Sequence, residues 1–252
     1  MTAKSRIAPR PRLLLVHGSV VNGAGTWGSQ RALAEHFDVV APDRRGFPPG
    51  PDVDRVDFED EARWLEQFLE PPGGDSQRAT HVVGHSYGGL VALLAAARRP
   101  ELVRSLTVVE PPAFAVARGL DGVDAFEARL AELWERGPRR PEPFLREFLR
   151  LIGSSVPPGR FTPEFLQGAR TLMVERLPGE AEIPLATLAA APFPLLAVSG
   201  GHEPAFEAVC DVLAERAGAE RAILPGRRHS VQRLGEPFNQ LLTAFVLRAE
   251  GA

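Results

Sequence analysis

One serine, one histidine and two glutamates stand where they could share a reaction. Ser86 lies in Gly84-His85-Ser86-Tyr87-Gly88, between an apolar extended run, Thr80 to Val83, and a helix-like run, Gly88 to Arg99. This is a G-x-S-x-G pattern in the setting it requires, a strand turning sharply into a helix with the serine at the tip. Flanking glycines matter because Cβ atoms would collide across so tight a reversal, and the serine must accept a strained backbone. A serine hydroxyl is a poor nucleophile near neutral pH, so it needs a base to take its proton and a carboxylate to orient that base. His229, in Pro225-Gly226-Arg227-Arg228-His229-Ser230 just after the last apolar run, is the expected base. His36 and His81 belong to helix and strand patterns, His85 is the variable position of the serine motif, His17 precedes a loop, and His202 comes too early. Glu110 and Glu203 each follow a strand, and either could reach a histidine at a shared edge.

The elements that must position these groups alternate between short apolar strands and helices. Strands are expected at Leu13 to Val16, Val39 to Ala41, Thr80 to Val83, Leu106 to Val109, Leu195 to Ser199 and Arg221 to Leu224. Helical patterns cover Trp27 to Phe37, Asp57 to Glu70 (broken by Pro71-Pro72-Gly73-Gly74), Gly88 to Arg99, Pro204 to Ala217 and Glu236 to Arg248. Such alternation argues for an α/β fold with a parallel, doubly wound sheet, which binds ligands beyond the carboxyl ends of its strands. The loop after His17, Ser86 and Glu110 all fall at such ends. From Phe114 to Ala191 the strand signal disappears, leaving helices near Val123 to Arg136, Pro143 to Ile152 and Thr162 to Leu177. The expected organisation is a core of residues 1–113 and 192–252, with 114–191 as a helical cap or lid insertion.

Composition narrows the partners. The 252 residues carry a net charge of −3, with 44% hydrophobic and 24% charged residues, which gives no support for a nucleic-acid or anionic-membrane partner. Cys210 is the only cysteine, so an internal disulfide or a cysteine-based metal site is excluded. It lies on an apolar helical stripe and reads as a small core residue. No secretory signal or membrane-length apolar run stands out, so a cytoplasmic location is expected.

Taken together, His17-Gly18-Ser19, Asp43-Arg44-Arg45-Gly46, Gly84-to-Gly88, Glu110-Pro111, Gly200-to-Glu203 and Pro225-to-His229 resemble the α/β-hydrolase superfamily over nearly the whole chain. The resemblance implies an α/β-hydrolase fold with a mostly parallel sheet of about six strands, since the chain reaches the His17 strand almost at once and two N-terminal strands of many relatives are missing. It implies the order Ser86, acid, His229, and favours Glu203, which stands where a Gly-x-x-Asp is usual, over Glu110 at the family's other acid position. Oxyanion donors are expected from the amides of Tyr87 and Ser19, with Val20 an alternative to Ser19. Arg227-Arg228 departs from the small residues usual before the histidine, and glutamate replaces aspartate at 203.

The activity so implied is hydrolysis of a carboxylic ester, thioester or lactone through an acyl-enzyme, with no cofactor and no metal. Serine in place of aspartate disfavours the alkyl-enzyme chemistry of dehalogenases and epoxide hydrolases. A lyase or acyl-transfer catalyst using the same residues, and a non-catalytic ligand-binding protein, are the alternatives. Phe114, Phe126, Trp134, Phe144, Phe148, Phe161, Phe165 and Met173 supply the insertion with apolar surface for an acyl or aromatic group. Arg118, Arg146 and Arg170 could bind a substrate carboxylate, but solvated arginines are the safer expectation.

Overall fold

The expected strands form six parallel ones: β1 (Arg12–Val16), β2 (Asp38–Val40), β3 (Thr80–His85), β4 (Val103–Val109), β5 (Leu195–Ser199) and β6 (Glu220–Ile223). Their order in the sheet is β2-β1-β3-β4-β5-β6. The computed structural model describes residues 10–70 and 79–251. The expected helix breaker at 71–74 therefore lies outside the described residues, as does most of the segment before β1. Central strands with both faces covered bury every side chain, and β3 and β5 are buried along their full length.

Nine α-helices surround the sheet among the described residues: α1 (Gly23–Thr26), α2 (Phe58–Leu69), α3 (Tyr87–Arg98), α4 (Asp121–Arg136), α5 (Pro141–Leu151), α6 (Pro163–Met173), α7 (Leu185–Ala189), α8 (Pro204–Ala217) and α9 (Glu236–Glu250). The stripe Phe58, Ala62, Leu65 and Leu69 buries one face of α2, whose N-cap Asp57 accepts from the Glu59 amide. Leu90 to Ala96 are buried all round, so α3 runs through the centre of one layer. On the opposite face Trp27, Leu33, Phe37, Phe238, Leu242 and Phe245 form a second cluster against Leu13, Leu15, Val83 and Val198. Cys210 is buried within α8, as its stripe predicts.

The helix-like segment from Trp27 to Phe37 forms a 3-10 helix, Gly28–Glu35, whose Trp27 N-cap position has no side-chain capping bond. One expectation is corrected. The helix expected to reach Leu177 stops at Met173, because Val174 to Arg176 leaves it to pair with Val56. The Val56 amide donates to the Val174 carbonyl at 3.0 Å and the Arg176 amide to the Val56 carbonyl at 2.8 Å. This short bridge turns Glu175 inward.

Helices α4 to α7 lie between β4 and β5 in the chain, and α6 presses on the loop after β1. A Cβ added at Gly168 of α6 would fall on the Val20 carbonyl. Backbone cannot retreat as a flexible side chain can, so Gly168→Ala is expected to destabilise the fold by about 1–3 kcal/mol despite alanine's better helix propensity. Chemical denaturation measures it; an equal or higher midpoint would show that α6 and the loop part freely.

Candidate active site

The sharp turn at Ser86 is built by what its neighbours lack. A Cβ on Gly84 would meet the Gly89 Cα at 2.6 Å, and one on Gly88 would strike the His17 and Val16 carbonyls. A Cβ on Gly18 would lie 2.9 Å from that of Ser86. Strand β3, helix α3 and the loop after β1 thus meet closer than any larger residue allows. Ser86 itself has φ 53° and ψ −128°, a conformation that is strained for a residue with a Cβ. Its amide donates to the Val109 carbonyl at 2.8 Å, tying the turn to the end of β4.

The hydroxyl so presented meets an imidazole. Ser86 Oγ lies 2.9 Å from His229 Nε2, and His229 Nδ1 lies 3.2 Å from Glu110 Oε2. The arrangement fits a neutral imidazole donating from Nδ1 to the carboxylate and accepting at Nε2. His229 is 3% exposed, and burial holds it below the ordinary histidine range, assisted by repulsion from His202. Nothing in the sequence placed His85 in a supporting role, yet its Nε2 donates to the His229 carbonyl at 2.9 Å and fixes the loop.

Glu110, not Glu203, stands against the imidazole. Glu110 is fully buried at the end of β4, with φ 50°, and its amide donates to the Val198 carbonyl at 2.9 Å. Its second oxygen, Oε1, accepts from the Gly200 amide at 2.5 Å and faces His202 Nδ1 at 3.7 Å. Burial pushes its carboxyl up to about 7, against the Gly200 amide and the His202 ring, which favour the ionised form. Glu203, preferred on sequence, begins α8 and turns to Arg129 of α4 at 3.6 Å. Among the described residues no hydrogen bond or ion pair joins it to His229. His202 lies in the loop between β5 and α8 and packs between Glu110 and the insertion: its Nε2 lies 3.2 Å from the Ile152 carbonyl and its ring stacks on Phe206.

Behind the serine lies a buried charge network. Arg44 of the Asp43-to-Gly46 turn bonds Glu61 of α2 (2.8 Å) and Glu175 (3.0 Å), and its guanidinium sits over the Tyr87 ring at 4.7 Å. Ser19 Oγ donates to Glu175 at 2.5 Å, so the loop carrying the expected oxyanion donor is held by a carboxylate from the insertion. His17 completes the mesh, its Nε2 accepting from the Arg44 amide at 2.8 Å while Nδ1 donates to the Gly18 carbonyl at 2.8 Å. Burial, with Arg44 nearby, lowers His17 to about 3, so it stays neutral. Tyr87 is the first residue of α3, where an N–H has no acceptor within the helix and the helix dipole favours negative charge.

Two spaces open on Ser86. One is an apolar hollow of about 30 Å³, walled by Phe114, Phe126, Trp134, Phe148 and Phe206, with Glu175 at its edge. The other is a cleft of about 330 Å³ between the insertion and the His229 loop. Phe165 lines the cleft with Phe148, whereas Phe144, Phe161 and Met173 line neither space. Arg118, Arg146 and Arg170 are taken up elsewhere, by Gly179 and Glu182, by Glu142, and by Asp52. Among the described residues no cluster of three or more His, Cys, Asp or Glu could hold a metal ion, and no helix is long and apolar enough to cross a membrane.

Comparison with known proteins agrees with this fold. The family model described as the alpha/beta hydrolase family matches residues 13–241. A 2-hydroxymuconate semialdehyde hydrolase of Pseudomonas sp. (strain CF600) is 33% identical over 132 residues, 48% of this chain and 44% of that protein. A pimeloyl-[acyl-carrier protein] methyl ester esterase of Aliivibrio fischeri is 30% identical over 112 residues, 44% of this chain and 41% of that one. The aligned stretch spans between about two fifths and three fifths of the first curated relatives. An alpha/beta hydrolase from Sphaerobacter thermophilus superposes with a TM-score of 0.66 at 29% identity, covering 94% of this chain and 93% of its own.

Proposed function

This chain belongs to the alpha/beta hydrolase family, and from that premise we propose that it is a serine hydrolase cleaving a carboxylic ester, thioester or lactone through an acyl-enzyme. The observation that carries the reading is the 2.9 Å contact of Ser86 Oγ with His229 Nε2 at a strained strand-to-helix turn. Similarity to an enzyme named as a methyl ester esterase supports the ester class.

As Ser86 Oγ bonds to the substrate's carbonyl carbon, its proton passes to His229 Nε2, and Glu110 stabilises the imidazolium through Nδ1–H. The amides of Tyr87 and Ser19 hold the oxyanion. Collapse breaks the bond to the leaving oxygen or sulfur, which takes the proton from His229. Water then repeats the sequence against the acyl-serine and frees the acid. Residues 114–191 act as a cap: their aromatic side chains wall the hollow that receives the acyl chain. That hollow is lined almost wholly by apolar surface and is much the smaller of the two spaces on Ser86, so it suits a short apolar chain.

A fluorophosphonate probe tests the reading, with the adduct located by peptide mass spectrometry and 4-nitrophenyl esters of increasing acyl length assayed alongside. Labelling is expected at Ser86, with short acyl chains turned over fastest. Folded protein that is neither labelled nor active would defeat the proposal.

Acid dependence gives a second measurement. With His229 held neutral by burial, the proton that matters is the one on Glu110, whose carboxyl is pushed up to about 7. Only the ionised carboxylate stabilises the imidazolium, so kcat/KM is expected to fall as pH drops through that value. His202→Ala removes a neighbour that favours ionised Glu110 and is expected to move the limb to higher pH. A flat profile across the range, or an unmoved limb in the variant, would contradict this assignment.

A further inference from the structure

The cleft on the His229 side of Ser86 is one-signed. Arg227, Arg228 and Arg233 line it, and no aspartate or glutamate does. The side chains of Arg227 and Arg228 have neither an ion pair nor a hydrogen bond among the described residues, and that of Arg233 makes only a 3.4 Å contact to the Gly25 carbonyl. The charge of Arg233 reaches the site, where it contributes to lowering His85. The backbone beneath them is fixed. Arg228 takes φ 48°, and its carbonyl lies where a Cβ on Gly200 would stand. The Gly200 amide in turn holds Glu110, so the arginine pair, the acid and the base belong to one rigid corner.

Direction within the site follows from the chemistry. His229 must hand its proton to the leaving atom, so the leaving half departs along the His229 loop, which also carries Arg227 and Arg228. The hollow, which His229 also lines, is small and apolar and holds no arginine, while the cleft is about ten times larger and carries all three. Resting on the ester-hydrolase reading above, we propose that the substrate joins a short apolar acyl group to a larger leaving half bearing a carboxylate or phosphate, which Arg227, Arg228 and Arg233 bind. Guanidinium groups match the geometry of both anions by paired N–H donors. No acidic side chain of the cleft competes for them.

The test compares 4-nitrophenyl butyrate, 3-carboxy-4-nitrophenyl butyrate (charge on the leaving half) and mono-4-nitrophenyl glutarate (charge on the acyl half). Each rate is divided by that ester's uncatalysed hydrolysis. The wild-type protein is expected to favour the carboxylated leaving group by roughly tenfold in kcat/KM, as charge-assisted hydrogen bonds of ordinary strength give. That ratio is expected to collapse in the Arg227→Gln/Arg228→Gln double variant, to fall in Arg233→Gln, and to be kept only in part in Arg227→Lys/Arg228→Lys, which retains the charge but not the paired donors. It is also expected to weaken in the wild type as sodium chloride is raised from about 20 mM to about 500 mM. Equal ratios, a ratio untouched by the glutamine variants or by salt, or a preference for the charged acyl ester alone would overturn the assignment. Calorimetric binding of 5-hydroxy-2-nitrobenzoate and 4-nitrophenol to Ser86→Ala separates the two levels of the argument. If no ester is cleaved yet the carboxylated phenol binds more tightly, the hydrolase reading fails and the anion site stands. Equal binding of the two phenols removes the anion site whatever the turnover.

Discussion

Glu110→Gln is expected to lower ester turnover by about 10⁴-fold, the loss seen when an orienting carboxylate becomes an amide that imposes the wrong imidazole tautomer. Ser86→Ala is expected to cost about 10⁶-fold, leaving only the rate that binding and oxyanion donors supply. Glu203→Gln, by contrast, breaks an ion pair with the half-exposed Arg129 and is expected to change turnover by no more than about threefold. The contrast rests on position. Glu110 is fully buried with one oxygen on His229 and the other on the Gly200 amide, whereas Glu203 faces the insertion. Steady-state kinetics on the three variants, with circular dichroism to confirm folding, decides it. A Glu203 variant as damaged as the Glu110 variant would mean that the carboxylates exchange places during turnover.

The second large effect falls on stability. Arg44→Met is expected to destabilise the protein by about 3–5 kcal/mol, because it leaves two buried carboxylates without their cation. Arg44 is 1% exposed, and its partners Glu61 and Glu175 are 2% and 5% exposed, so solvent cannot take its place. Burial already raises Glu175, and Arg44 and Ser19 are what hold it down. Without Arg44, folded Glu175 binds its proton more readily than the unfolded chain does. The deficit therefore grows as pH rises through the folded-state value and shrinks toward acid. Adding Glu61→Gln and Glu175→Gln to Arg44→Met is expected to recover part of the loss. Urea denaturation at two pH values measures both, and a deficit below about 1 kcal/mol would show that water enters the network. The network also fixes the loop after β1, since Glu175 accepts from the Ser19 hydroxyl.

Part of this was legible in the chain because it is local. A strand buried on both faces writes itself as a mostly apolar run, as β1, β3, β4 and β5 do, whereas the edge strands β2 and β6 are short and partly exposed. The turn at Ser86 needs glycines at fixed offsets whatever surrounds it, so the motif announced both the serine and its conformation. His229 followed from its place after the last strand. Helix ends were less legible: α6 ends early because Val56, distant in sequence, offers backbone partners to Val174 and Arg176.

The amino-acid sequence on its own determined the α/β alternation, the turn that carries Ser86 and the place of His229 after the last strand, because periodicity and glycine spacing act over a few residues. Only the tertiary structure decided which carboxylate meets His229, that Glu175 locks the loop after β1, and that Arg227 and Arg228 face a cleft without acids. Each of those depends on which strand ends lie side by side and on where a buried charge finds its partner. Such pairings join residues up to 156 positions apart, as Ser19 and Glu175 are, and no local pattern encodes them.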